Sequence, residues 1–347
     1  MHKLIATSTI LEHEISELRL LVERQTGVVL DSPNSALAGR VADFIELQEL
    51  DSSTTLLERL RSPEQDPLLL PSLLDGLINT NTGFFRHSGA LNALTRQVLP
   101  QLCSRRTTDS SGPVRIWSAG CGTGEETYSI AMAICDAVSP ALGGASNGNG
   151  SGKSGVRNGS IAESAAGVGG QPGKLNTACA IHVVGSDLLP SNIEIADRGV
   201  YRHSSLDGLP PATIRNYFSK IGPSAIVTSS KGIETDEDQP QSPSIAAHLL
   251  VKPRLRSLVT FNCMNLARPG YIGRFDCIFC MDVLPHFSRA QRLAVLERLH
   301  LYLEPGGYLF LSQTEKLSAP NLNFRSETFD GYTFHRKPLA ASAAYGR

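Results

Sequence analysis

The 347-residue chain has no apolar run of the length that spans a membrane. Residues 1–8 carry one lysine with no apolar core behind it. The start therefore does not read as a secretory leader, and the expected compartment is the cytoplasm. An excess of either charge is also missing. Lys+Arg 32 stand against Asp+Glu 33, so no strongly basic face is implied and nucleic acid is not an expected partner. The seven cysteines are odd in number and scattered, which fits a reducing compartment better than a disulfide framework. Cys277 and Cys280 form C-x-x-C, but no second Cys or His pair lies at ligand spacing. They sit in Phe275-Asp-Cys-Ile-Phe-Cys, which reads as a buried strand, where residues three apart point to opposite faces. Core packing is the expectation, and no metal is expected.

What is present divides the chain. Within residues 1–78, the stretch from 11 to 78 carries helical periodicity: Ile15, Leu18, Leu21 and Val22, then Leu56, Leu57 and Leu60, then Leu70, Leu73, Leu74 and Leu77. This predicts an N-terminal all-helical domain, serving as a packing cap or a docking surface. A connecting segment follows at 79–112. From 113 to 337 apolar strands at 114–118, 181–186, 259–262, 275–280 and 308–312 alternate with helical stretches such as 288–303. That alternation predicts an α/β domain with a mostly parallel sheet, its ligands outside the carboxyl ends of the strands. Residues 143–175 are dense in Gly, Ser, Ala and Asn and read as a flexible insertion. A polar loop at 224–244 includes Glu234, Asp236, Glu237 and Asp238, and residues 338–347 read as a tail.

The most informative stretch runs from Val114 to Tyr128. An apolar strand enters three glycines at alternate positions, Gly120, Gly122 and Gly124. Glu125 and Glu126 follow, then a helical pattern over 128–137. Glycine lets a backbone approach a ligand closely, and a helix start aims its N–H groups at whatever sits there. A dinucleotide-binding turn reads G-x-G-x-x-G; this one reads G-x-G-x-G, which resembles the first motif of S-adenosylmethionine-dependent methyltransferases. Asp187 ends the second strand, placed either to accept hydrogen bonds from ribose hydroxyls or to cap the helix at Pro190. Asn265-Leu266 follows the third strand, where an amide suits an adenine edge. Met281-Asp282 follows the fourth. Four strand ends thus converge on one crevice.

Upstream lies Asn79-Thr-Asn-Thr-Gly-Phe-Phe-Arg86, a polar run ending in two Phe and an Arg that neither helix nor strand logic requires. Together with W-S-A-G-C-x-T-G-E-E-x-Y-S, S-D-L, Y-R, N-L, F-D-x-I-F-C-x-x-V and a closing P-G-G-Y-L-F-L strand with Glu315, it resembles the CheR family of chemoreceptor glutamate O-methyltransferases. The likeness spans roughly residues 15–336. It implies a Rossmann-like methyltransferase fold with a small inserted β-subdomain near 202–257 that holds receptors. It implies S-adenosylmethionine as methyl donor, S-adenosylhomocysteine as product, and cytoplasmic domains of methyl-accepting chemoreceptors or related signalling proteins as partners. Position by position, it places Thr80, Thr82 and Arg86 at the donor, with Arg86 also near the substrate carboxylate. Glu126, with Glu125 beside it, holds the amino group of the methionine moiety, Asp187 the ribose, and Asn265 and Leu266 the adenine. Arg40 is implied in receptor engagement.

The sequence departs from that pattern after the fourth strand. The expected C-R-N-V-x-x-Y-F reads Cys280-Met-Asp-Val-Leu-Pro-His-Phe287, so Met281 replaces Arg, Asp282 replaces Asn and His286 replaces the active-site Tyr. Met281 and Asp282 keep their place at the donor. His286 either donates a hydrogen bond in the site or packs beside Phe287. An active receptor methyltransferase, a non-catalytic docking module, and a methyltransferase for another carboxylate or small acceptor are the three readings.

Overall fold

A computed structural model describes residues 10–78, 82–106, 112–138, 180–221, 248–270, 273–317 and 319–339. The stretches expected at 143–175 and 224–244, Thr80, and all but two residues of the 338–347 tail lie outside the described residues.

Four amphipathic helices open the chain: α1 (Glu12–Thr26), α2 (Asn34–Leu47), α3 (Ser53–Arg61) and α4 (Leu69–Leu77). Their apolar stripes close on one another through Ile15, Leu18, Val22, Leu56, Leu60, Leu73 and Leu77. Gly27 ends α1 in the left-handed conformation (φ 78°), its N–H donating to the Glu23 carbonyl. This helical unit leans directly on the sheet domain. Val28 forms a bridge with Phe287, the Val29 N–H donates to the His286 carbonyl at 2.8 Å, and Leu189 packs into the helical core.

Helices α5 (Ser88–Ala93) and α6 (Leu99–Arg106) flank a π-helical turn over Leu94–Val98. Pro100 lies two residues beyond its end and has no N–H to give, so the wider turn falls where the regular ladder is already interrupted.

The central sheet holds seven strands. They are β1 (Val114–Ala119), β2 (Ile181–Asp187), β6 (Val259–Cys263), β7 (Phe275–Cys280), β8 (Leu303–Leu311), β9 (Arg325–Phe329) and β10 (Tyr332–Arg336), in the order β6-β2-β1-β7-β8-β10-β9. The first five pair in parallel, and β10 runs antiparallel to β8 and β9. Alternate residues face opposite layers. Ile116, Cys277, Phe279 and Phe310 join the layer of α5, α6 and α7 (Glu125–Val138). Trp117, Ile278, Cys280 and Leu309 join the layer of α11 (Arg289–Tyr302). The two C-x-x-C thiols are therefore buried on opposite sides of the sheet. Among the described residues no group of three metal-binding side chains forms, and no helix is long and apolar enough to cross a membrane.

A second, three-stranded antiparallel sheet joins β3 (Val200–Arg202), β5 (His248–Val251) and β4 (Phe218–Lys220), with α8 (Pro190–Arg198) leading into it and α9 (Pro211–Tyr217) and α10 (Pro253–Arg256) beside it.

The structure extends the sequence reading at two places. The strand expected at 308–312 begins at Leu303, because Pro305-Gly306-Gly307 is absorbed as an irregularity where the β7–β8 register shifts. The β9–β10 hairpin was not foreseen. Its turn, Asp330-Gly331, has φ of 49° and 77° at its two central residues, the D-G signature of a tight hairpin.

Candidate active site

The chain runs outward from β1 through β2 to β6, then crosses back to β7 and β8, so the strand order reverses between β1 and β7. Adjacent connections leave on opposite faces at such a point and open a crevice at the carboxyl ends. A cleft of about 260 Å³ lies there. Its wall includes Thr82, Arg86, Gly120, Gly122, Glu126, Asp187, Asn265, Leu266, Met281, Asp282 and His286. Five separate segments thus bring the expected residues to one place. Thr80 lies outside the described residues. Glu125 and Arg40 are not in the wall.

Glu125 is displaced by the start of the helix. The sequence pattern suggested helix from Tyr128; α7 begins at Glu125, so the two glutamates occupy successive positions of a first helical turn and point about 100° apart. Glu126 faces the cleft. Glu125 is buried, its Oε2 accepting from the Thr123 hydroxyl at 2.7 Å. Arg40 lies on α2, its Nη1 donating to the Leu77 carbonyl at 3.0 Å and satisfying a C-terminal carbonyl of α4.

Two of the three glycines of the turn line the cleft, and the third serves packing. A Cβ on Gly124 (φ +97°) would stand 2.7 Å from the Ala196 Cβ and 2.9 Å from the Tyr201 hydroxyl. Tyr201 in turn donates to the Thr123 carbonyl at 2.7 Å, tying the turn to the small sheet. Gly124→Ala combines backbone strain with a clash and is expected to destabilise by about 2–4 kcal/mol. Urea unfolding checks this as a lower midpoint at unchanged slope.

Asp187 is 9% exposed, and both its oxygens are engaged: Oδ2 accepts the Gly122 N–H at 2.9 Å, while Oδ1 accepts the Leu189 N–H and the Asn192 amide at 3.0 Å each. It ties the residue before α8 and the Asn192 side chain of that helix to the glycine turn. Three of the roughly four acceptor positions of the carboxylate are thus used, two on Oδ1 and one on Oδ2, which leaves one on Oδ2. The Asn265 side-chain oxygen Oδ1 accepts the Ala267 N–H at 2.8 Å, which fixes that side chain at the rim.

The end of the cleft near β7 holds its charges. Arg86 Nη2 and His87 Nε2 both stand 3.2 Å from Asp282 Oδ2. The Ser118 hydroxyl donates to Glu126 Oε1 at 2.7 Å. Behind them Glu315 accepts three backbone N–H groups, from Ser312 (3.0 Å), Asp282 (3.2 Å) and Leu284 (3.0 Å), joining the ends of β8 and β7. That clamp holds Asp282 in the left-handed region (φ 57°). Phe85, next to Arg86, is also left-handed (φ 54°), its N–H donating to the Ser129 hydroxyl at 2.8 Å. Two non-glycine residues of this kind on facing walls mark a region where the surrounding structure imposes backbone strain. His286 lies at the exposed end of a short 3₁₀ turn on the rim.

Burial pushes the Glu126 carboxyl up to about 7, with Asp282 and Glu315 adding to the rise and Ser118 and Arg86 opposing it. Burial pulls His87 below its ordinary value, against the neighbouring Asp282. Burial also raises the Cys121 thiol, as do Asp187 and Glu126, so this cleft-lining sulfur stays protonated. The roles of His87 and Glu315 were missed in the sequence. Glu315 carried a signal, a carboxylate just past a strand's carboxyl end; His87 carried none beyond its place after Arg86.

The comparisons with known proteins bear on this geometry. The CheR methyltransferase SAM-binding domain matches residues 80–144 and 171–332. The chain belongs to the CheR methyltransferase family. It is an S-adenosylmethionine-dependent methyltransferase with a Rossmann-like α/β fold. It is 28% identical over 303 residues to chemotaxis protein methyltransferase 1 of Pseudomonas aeruginosa, covering 86% of this chain and 89% of that protein. It is 26% identical over 313 residues to the chemotaxis protein methyltransferase of Vibrio parahaemolyticus, covering 89% and 91%. The residues present fit the donor: a carboxylate whose burial disfavours its charge suits a cationic amino group, and a braced strand-end carboxylate suits ribose hydroxyls.

Proposed function

We propose that this CheR-family enzyme transfers a methyl group from S-adenosylmethionine to glutamate side chains of chemoreceptor-type signalling proteins in the cytoplasm, giving glutamate methyl esters. The observation that carries the reading is Arg86. Among the described residues it is the one guanidinium in the wall of a cleft otherwise rich in carboxylates, and it reaches the charged end beside β7. The methyl donor supplies an electrophilic methyl group on a sulfonium.

The protein's residues perform the rest. An acceptor glutamate is already ionised at neutral pH, so no strong general base is needed. Arg86 orients the incoming carboxylate and shares its charge with Asp282, which keeps the guanidinium from pairing both acceptor oxygens and dulling the nucleophile. Glu126 holds the donor's amino group, and Asp187 its ribose. Phe85, Leu91, Phe279 and Phe287 line the cleft with apolar surface that keeps water from the reacting centre. Orientation of this kind supplies about 7–11 kcal/mol in favourable cases. Arg40 and the three-stranded sheet are proposed to contact the receptor.

Labelled-methyl transfer to purified receptor cytoplasmic fragments tests the reading. Base-labile label on glutamate supports it; donor binding with label only on small acids, or with none, overturns the receptor assignment.

Glu126 gives the donor site a pH dependence. A cationic amino group favours the ionised carboxylate, so protonation must be reversed on binding below the raised value near 7. Donor affinity is expected to rise with pH from about 5.5 to about 7, by up to about tenfold per unit at the acid end, and then to level off. Calorimetry across that range checks it, and Glu126→Gln should flatten the slope while weakening binding.

A further inference from the structure

We propose that the carboxylate of Asp282 makes this cleft select the cationic methyl donor over its uncharged-sulfur product. The inference rests on the assignment of the cleft to S-adenosylmethionine.

Donor and product differ by one methyl group and one positive charge on sulfur. A site that separates them does so through shape or through charge. Near β7 the balance of charge is lopsided. Glu126 and Asp282 line the cleft and Glu315 sits directly behind them, which among the described residues sets three carboxylates against the single guanidinium of Arg86. His87 adds a contact to Asp282 at 3.2 Å but little charge at neutral pH, because its burial disfavours protonation. The crowding registers on Glu126, which Asp282 and Glu315 both push toward its protonated form. An entering cation relieves this excess; a neutral thioether does not.

The excess comes from this chain's own sequence. The pattern it resembles has asparagine where Asp282 stands. Asparagine matches the carboxylate in size and also tolerates the left-handed backbone that Glu315 imposes at this position. It brings no charge. The acid therefore changes the field at the reacting end of the cleft without requiring a different loop. It also neutralises Arg86, which would otherwise repel a sulfonium.

The test is calorimetric titration of the full chain and of Asp282→Asn with three probes. These are S-adenosylmethionine, S-adenosylhomocysteine, and sinefungin, which carries a protonated amine in the region of the sulfonium. Asp282→Asn is expected to lower the preference for each cation over S-adenosylhomocysteine by about tenfold. The preference of the unaltered protein should shrink as salt is raised. Asp282→Ser, which also removes the charge, should repeat the loss. An unchanged ratio in both variants overturns the inference while leaving the donor site in place. A change for S-adenosylmethionine without one for sinefungin overturns it too, by pointing to methyl contact rather than charge. Failure of the unaltered protein to bind any of the three would remove the donor assignment itself.

Discussion

Replacing Arg86 with alanine is expected to lower methyl transfer to receptor fragments by about 10²–10³-fold while the protein still binds S-adenosylmethionine. The size follows from the setting. The guanidinium sits in a cleft with largely apolar walls and several carboxylates, where it draws in and orients the incoming carboxylate for in-line attack, and a misplaced acceptor costs the rate heavily. Its removal leaves Asp282 with His87 as its remaining ion-pair partner among the described residues. The local field becomes more negative, so donor affinity relative to product should rise, opposite to the direction expected for Asp282→Asn. Single-turnover transfer and calorimetry on the same preparation separate the two effects. Arg86→Lys, which keeps a point charge but loses the planar fork, should recover only part of the rate. Undiminished transfer in Arg86→Ala would remove Arg86 from the mechanism.

Asp187→Ala is expected to abolish measurable donor binding and to destabilise the fold by about 3 kcal/mol. Three donors lose their acceptor together: the Gly122 N–H, the Leu189 N–H and the Asn192 amide. Each buried donor left without a partner costs about 1–3 kcal/mol, lessened here because the site opens onto the cleft and water can enter. Asp187→Asn keeps one acceptor oxygen and should lose less stability than binding. Denaturant unfolding and calorimetry read the two losses independently. Full stability in Asp187→Ala would mean that the brace on the glycine turn is dispensable.

The order of strand, glycine turn and helix was legible because it depends on local chemistry. Alternating apolar residues, glycines at fixed spacing and a carboxylate or amide after each of the first four parallel strands are written along the chain. The places that escaped are those where two distant segments meet. Nothing local separates Glu125 from Glu126; the start of α7 does, by turning one into the cleft and the other into the packing below. Gly124 looks like its two neighbours in sequence, yet Ala196 and Tyr201 fill the space above it. The β9–β10 hairpin carried its Asp330-Gly331 signal in the open, but its strands are short and partly polar.

The sequence by itself determined the α/β class and the position of the crevice at the strand ends, with Asp187 and Asn265 beside it, since periodicity and turn chemistry act over a few residues; Arg86 and Glu126 were pointed to by the family resemblance. Tertiary structure alone decided how those charges are shared. That Arg86 and His87 both rest on Asp282, that Glu315 clamps the turn beneath them, and that Glu126 is pushed toward neutrality all depend on through-space distances between segments as much as 196 residues apart, from Arg86 to Asp282. Electrostatic energy follows separation and burial, and neither is written in the order of residues along a chain.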